Sequence, residues 1–195
     1  LFPFAALYKL ITQLRNRMYD LGMRPSVQFE IPVVSVGNLT VGGTGKSPMV
    51  EHLIRLLYRN YTLATLSRGY GRKTHGILIA SEVDDASTFG DEPLQFYKKF
   101  GNSITVAVGE ERALAIAHIL QEREDIQVVL LDDAFQHRKV RPSFSIILSD
   151  YNRPFYKDFL LPAGRLRESR GGATRADVVV VSKCPPEILE DEMME

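Results

Sequence analysis

Cysteine is nearly absent: Cys184 is the single one. One thiol forms no internal disulfide and builds no all-cysteine metal site. Neither sign of charge is in excess, with 24 Lys and Arg against 24 Asp and Glu over 195 residues. A general nucleic-acid binder carries a basic surplus, so no nucleic-acid partner is expected. No apolar run approaches the roughly 20 residues that a membrane-crossing helix needs. Internal repeats and low-complexity tracts are missing too. What is present is 45% hydrophobic residues, enough to bury the core of one sizeable domain with a short appendage. The chain starts on Leu1 rather than Met, and its acidic end, Glu190 to Glu195, carries no stop signal. A piece of a longer protein is the expectation.

Residues 1–23 read as an amphipathic helix. Phe4, Leu7, Leu10, Ile11, Leu14, Met18 and Leu21 share one face, and Lys9, Thr12, Gln13, Asn16 and Asp20 the other. Arg15 and Arg17 sit near the edges of the apolar face, and Gly22 and Pro25 end the pattern. The plain reading packs the apolar face on the domain. The sharper one lays it in a lipid interface with the arginines near headgroups. After Pro25, short β-branched runs alternate with helical stretches. Runs at 33–36, 62–66, 77–80, 104–108, 128–131, 144–148 and 178–181 read as strands, and 48–58 and 110–123 as helices. That alternation predicts an open, largely parallel α/β sheet flanked by helices. Near-continuous apolar strands predict that both sheet faces are covered.

The densest signal is Gly42-Gly43-Thr44-Gly45-Lys46-Ser47-Pro48, between a strand and a helix. Glycines let backbone N–H groups turn toward phosphate oxygens, and the helix start adds positive charge. This is P-loop context. Lys46 would reach the outer phosphates, and the Ser47 hydroxyl would ligate Mg²⁺. The strict pattern wants glycine at position 40, where the chain has Thr40. A glycine-rich turn with an accidental Gly-Lys-Ser is the plain alternative.

Val128-Val129-Leu130-Leu131-Asp132-Asp133 reads as a Walker B strand, one aspartate facing Mg²⁺ and the other acting beside it. A solvated acidic turn is the plain alternative. In Gly90-Asp91-Glu92-Pro93, Asp91 caps a helix in one reading. In the other it is the base near an acceptor hydroxyl, with Glu92 a metal ligand. Ser67-Arg68-Gly69-Tyr70-Gly71-Arg72 places two arginines at the sheet edge where α/β ligands bind. His137, in Phe135-Gln136-His137-Arg138, binds phosphate, orients a carboxylate or is structural. Arg165 and Arg167 open a basic segment that is either a solvated loop or an arginine cluster for a phosphorylated substrate. Ser182-Lys183, after the last run, is too short a signal to assign.

In order, the chain carries Val-Gly-Asn at 36–38, Gly-Gly-Thr-Gly-Lys-Ser-Pro at 42–48, Ser-Arg-Gly-Tyr-Gly-Arg at 67–72 and Gly-Asp-Glu-Pro at 90–93. Asp-Asp-Ala-Phe-Gln-His at 132–137, Pro-Ala-Gly-Arg-Leu-Arg-Glu at 162–168 and Arg-Ala-Asp at 175–177 follow. The ordered set resembles the tetraacyldisaccharide 4'-kinase family, the lipid A 4'-kinases of Gram-negative bacteria, almost to residue 183. The resemblance implies transfer of the ATP γ-phosphate to the 4'-hydroxyl of a tetraacylated glucosamine disaccharide 1-phosphate. It implies an acylated disaccharide lipid as partner and a peripheral place at the cytoplasmic face of the inner membrane. It makes Asp91 the base, gives Glu92, Asp132 and Asp133 to Mg²⁺ and the transfer site, and assigns Lys46 and Ser47 to the P-loop. The family has glycine where this chain has Ala134, and usually threonine where it has Ser47. It also has a smaller C-terminal lobe whose histidine pairs with the base.

The expectation is therefore an interfacial helix over 1–25 and a P-loop kinase domain over 26–195, lacking that lobe. Its cofactors are ATP and Mg²⁺. The catalytic residues are Lys46, Asp91 and Asp133, and the ATP loop is Gly42 to Ser47. Ser47, Glu92, Asp132 and Asp133 are for the metal, and Arg68, Arg72, His137, Arg165 and Arg167 for substrate. A phosphotransferase on a soluble metabolite and a nucleotide-gated switch are the rivals.

Overall fold

The computed structural model describes residues 1–187. The acidic stretch Glu190 to Glu195 lies outside them. Strands β1 (Val33–Asn38), β2 (Leu63–Ser67), β3 (Leu78–Ile79), β4 (Thr105–Val108), β5 (Val128–Asp132), β6 (Phe144–Asp150) and β7 (Val178–Ser182) form one sheet. Its order is β3-β4-β2-β5-β1-β6-β7. Among the described strands every pairing is parallel except the short β3–β4 edge. The helices are α1 (Phe2–Asp20), α2 (Lys46–Leu57), α3 (Ala86–Phe89), α4 (Asp91–Phe100) and α5 (Arg112–Glu122). Parallel neighbours need crossovers, and α2, α3–α4 and α5 supply them between β1 and β5. The mostly parallel, helix-flanked α/β sheet is thus as expected.

The two-residue period of β5 sorts its side chains. Val129 and Leu131 pack with Ala115, Ile116 and Ile119 of α5. Val128 and Leu130 pack on the other face with Val50 and Ile54 of α2 and Phe96 of α4. Asp132 is next in the second series, so the strand delivers its carboxylate to the α2/α4 side.

Two expectations need correction. The sheet is not covered throughout: Val178, Val179 and Val181 of β7 are 39%, 47% and 51% exposed. After β5 the chain crosses by loops and two short 3-10 helices (Phe155–Lys157 and Arg170–Arg175) rather than by α-helices, and the β7 edge stays partly open among the described residues. The packing reading of the first helix is also reversed. Leu7, Leu10, Ile11 and Leu14 are 56–64% exposed. Ala5 and Thr12 are buried, and Tyr8, Asn16 and Tyr19 are half-buried. Helix α1 docks by its small and hydrogen-bonding side. Each exposed leucine forgoes about 1.5–3 kcal/mol that burial would supply. None of the described helices is long and apolar enough to cross a membrane.

Candidate active site

The phosphate loop runs from the end of β1 to the start of α2. Gly45 is the residue before the helix, and its φ of 83° is left-handed, a conformation glycine reaches without strain. The helix begins at Lys46, two residues earlier than the proline suggested, so Lys46 and Ser47 occupy its first turn. N–H groups there lack intrahelical acceptors and favour an anion. Thr40, where a strict P-loop has glycine, is buried and bridges to Leu166. The loop entrance is thereby stitched to a neighbouring segment: Val41 N donates to the Arg165 carbonyl at 2.9 Å and Arg167 N to that of Leu39 at 2.8 Å.

Three further contacts shape the loop. Asn38 Nδ2 donates to Thr44 Oγ1 at 2.8 Å. Ser182 Oγ donates to the Thr44 carbonyl at 2.8 Å. Lys183 Nζ donates to the Gly43 carbonyl at 2.6 Å and to Asp150 Oδ2 at 2.7 Å. The pair Ser182-Lys183 is thus a P-loop support, which its sequence alone does not reveal. Beside it, Gly42, Gly43, Asp150, Arg153, Arg165 and Lys183 help line a groove of about 280 Å³.

On the other side of the loop stand the acids. Asp133 takes a left-handed φ of 48° directly after β5. Arg167 grips its two oxygens at 3.1 and 3.2 Å, while Lys46 Nζ is 3.7 Å from Oδ1. The two-pronged arginine therefore holds this carboxylate, and Lys46 approaches it more loosely. Asp132 is 3% exposed, and its Oδ1 has no partner among the described residues. Burial, then the charges of Glu92 and Asp133, push its pKa up to about 7, while Lys46 pulls it down. Lys46 and Asp133 thus meet directly, and Glu92 and Asp132 lie within electrostatic reach of them.

A buried, unpartnered carboxylate oxygen among other carboxylates calls for a cation. Carboxylate and hydroxyl oxygens are hard ligands that suit Mg²⁺. Among the described residues no three His, Cys, Asp or Glu side chains form a metal cage. Mg²⁺ would therefore take its remaining ligands from waters and substrate phosphates. The residues that would hold it are Ser47, Glu92, Asp132 and Asp133.

Asp91 is not a helix cap. It is the first residue of α4, Gly90 precedes it as the cap, and no side-chain cap bond forms. Gly90 packs so tightly that a Cβ there would meet the Tyr70 carbonyl at 3.0 Å. The exposed Asp91 and Glu92 are thereby pinned beside the 67–72 loop at the C-terminal end of β2.

The proposed substrate arginines do not form one cluster. The Arg72 side chain is 3% exposed; its Nη2 donates to Glu110 at 2.5 Å and to the Gly76 carbonyl at 2.6 Å, while Nε and Nη1 have no partner among the described residues. Arg165 and Arg167 serve different places: Arg165 lines the groove, and Arg167 is held on Asp133. Arg68 stays exposed at the site. His137 is pushed down to about 4 by burial, then by the charges of Arg112 and Arg68, so at neutral pH it offers hydrogen bonds rather than charge.

Arg112 was missed by pattern reading. It opens α5, is 2% exposed and donates to the Gly109 carbonyl. Its Nε and Nη2 have no partner among the described residues. Burial lowers its pKa to about 10, while Asp132 and Asp133 raise it. It remains a cation at neutral pH, facing the acidic pair.

The family model for tetraacyldisaccharide-1-P 4'-kinase matches residues 1–194. The tetraacyldisaccharide 4'-kinases of Flavobacterium johnsoniae and Flavobacterium psychrophilum are 52% and 54% identical, over 100% and 97% of this chain. That of Bacteroides thetaiotaomicron is 50% identical over 96%. The crystal structure of the "apo" form of LpxK from Aquifex aeolicus in complex with ATP superposes with a TM-score of 0.87 at 39% identity. It is matched over 97% of this chain and 60% of its own. The chain covers 57%, 55% and 50% of the three relatives, so it spans about half their length. A match that runs almost from end to end, on a shared fold, leads to one conclusion: the chain belongs to the tetraacyldisaccharide-1-P 4'-kinase family.

Proposed function

We propose that the protein is an ATP-dependent kinase that phosphorylates the 4'-hydroxyl of a tetraacyldisaccharide 1-phosphate. The observation that carries this reading is the convergence of Lys46 with Glu92, Asp132 and Asp133 at a P-loop, in a chain of this family. The ATP phosphates lie on the N–H groups of Gly42 to Ser47, and the nucleoside side runs toward the Lys183 and Arg165 groove. Mg²⁺, when bound, neutralises charge on the transferring phosphate. Lys46 turns from Asp133 to the phosphate oxygens. Asp91 accepts the 4'-hydroxyl proton as the new O–P bond forms and ADP leaves. Arg112 and Arg68 supply positive charge beside the acidic pair, and neutral His137 orients a polar group. Positioning and charge neutralisation account for most of the catalysis in such a site.

We place the protein peripherally at the cytoplasmic face of the inner membrane. The exposed apolar side of α1 supports this, because such a helix lies in the interface plane with about 5–10 Å of immersion. The first test is flotation of the full-length protein with vesicles of anionic and zwitterionic phospholipid. The parent is expected to float, and a Leu7→Ser/Leu10→Ser/Leu14→Ser variant to remain at the bottom. Equal flotation of both would remove α1 from the account of membrane binding. The acceptor is tested by offering the tetraacyldisaccharide 1-phosphate beside deacylated sugar phosphates, and only the acylated lipid is expected to gain a phosphate. Transfer to the soluble sugars alone would favour a metabolite kinase.

A further inference from the structure

Helix α1 is joined to the phosphate site by an unbroken run of hydrogen bonds. From the helix, Tyr8 Oη donates to the Arg167 carbonyl at 2.8 Å and Asn16 Nδ2 to Glu168 Oε2 at 2.8 Å. Glu168 is fully buried. Its two oxygens also accept from Arg175 at 2.9 and 3.0 Å and from Gln136 Nε2 at 3.1 Å. A buried carboxylate must be paired in this way, which makes its position rigid. Gln136 Nε2 passes the link to the Asn38 carbonyl at 2.8 Å, at the end of β1. Next in the chain, Arg167 reaches Asp133 with both prongs, Asn38 Oδ1 at 2.7 Å and the Thr40 carbonyl at 3.2 Å.

The manner of docking matters as much as the contacts. A helix whose only task is to carry apolar residues needs no directional bonds to the domain. Here, among the described residues, the apolar side is exposed, and the helix meets the domain through Tyr8 and Asn16, whose bonds are sensitive to angle and distance. A small rotation of α1 would move the 167–168 backbone, and with it the guanidinium that holds Asp133 and the loop entrance.

We propose that α1 is a positioning element of the active site. Its docking through Tyr8 and Asn16 sets Arg167 and Glu168, and through Arg167 it sets the orientation of Asp133 and the entrance of the P-loop. Tyr8, Asn16 and Glu168 are then positioning residues, which act without touching a substrate. The inference deepens the kinase reading and rests on it for its turnover measurement.

The test uses the full-length protein with Tyr8→Phe, Asn16→Ala and the double substitution. Two quantities are measured: kcat and KM for the lipid in mixed detergent micelles, and the dissociation constant of a fluorescent ATP analogue without lipid. The double variant is expected to lose about tenfold in kcat, as fits two lost hydrogen bonds, with the lipid KM within about twofold of the parent. Binding of the ATP analogue is expected to weaken severalfold. A Leu10→Ser/Leu14→Ser variant should show the opposite split, with a raised lipid KM. Tyr8→Phe keeps the ring and removes one oxygen, so it decides the matter if the double variant fails to fold, with about a threefold loss in kcat expected. Parent-like kcat and analogue affinity in these variants would overturn the proposal and leave α1 an anchor only. If the parent itself transfers no phosphate, the kinase reading fails, and the analogue affinity alone decides whether α1 sets the loop.

Discussion

Lys46→Met in the full-length protein is expected to lower phosphoryl transfer by about 10²–10³-fold, the usual cost of removing one preorganised charge donor from a transition state. Lys46 is 3.7 Å from Asp133, whose oxygens are already held by Arg167. The lysine is therefore free to leave, and its loss leaves Asp133 paired. The fold should survive, because α2 depends on Gly45 at its start and on Val50 and Ile54, which are fully buried. Lys46→Arg should not restore activity. A planar guanidinium is a forked donor rather than a compact point charge, and the tight first turn is shaped for the latter. The check is kcat beside an unfolding midpoint. A parent-like kcat in Lys46→Met would remove this loop from the chemistry.

Asp91→Asn should cost about 10²–10⁴ in kcat, the range that a positioned base contributes. The neutral amide keeps the shape and loses the proton acceptor. Structure alone assigns Asp91 little stability. It is exposed at the first position of α4, where a negative charge is worth about 0.3–1 kcal/mol against the helix dipole. So a drop of two or more decades with an unfolding midpoint within a few degrees separates catalysis from folding. ATP binding should persist, since Asp91 lies on the 67–72 side of the cleft and not in the loop. A loss of nucleotide affinity as large as the loss of kcat would instead make it a nucleotide ligand.

Much of this site is legible in the chain. Gly42 to Ser47 and the run into Asp132-Asp133 announce a phosphate loop and its acidic partner, because backbone turns and strand ends leave local patterns. The parallel sheet is legible for the same reason. What stays hidden depends on which surfaces meet. The helical periodicity of residues 2–20 reveals two faces but not which one docks, and the hydrogen-bonding face does. Arg72 and Arg165 look like phosphate ligands in their motifs, yet Glu110 pairs with one and the other lines the groove beside Gly42 and Lys183. Arg112 and Lys183 carry no local signature. They become site residues only when the segment after β4 comes near Asp132 and Asp133 and that after β7 meets the loop. Asp91 reads as a cap by position and proves one residue too far into the helix.

The central claim is that this chain's P-loop and carboxylates move phosphate from ATP to an acylated disaccharide. The measurement that tests it most directly is transfer of radiolabel from γ-labelled ATP to tetraacyldisaccharide 1-phosphate in detergent micelles with Mg²⁺, using the full-length protein. The account predicts one labelled phosphate on the 4'-oxygen of the lipid, with the label lost in Lys46→Met and Asp91→Asn. Tight ATP binding with no labelled lipid, or with label released only as inorganic phosphate, would contradict it and point to a nucleotide-gated switch.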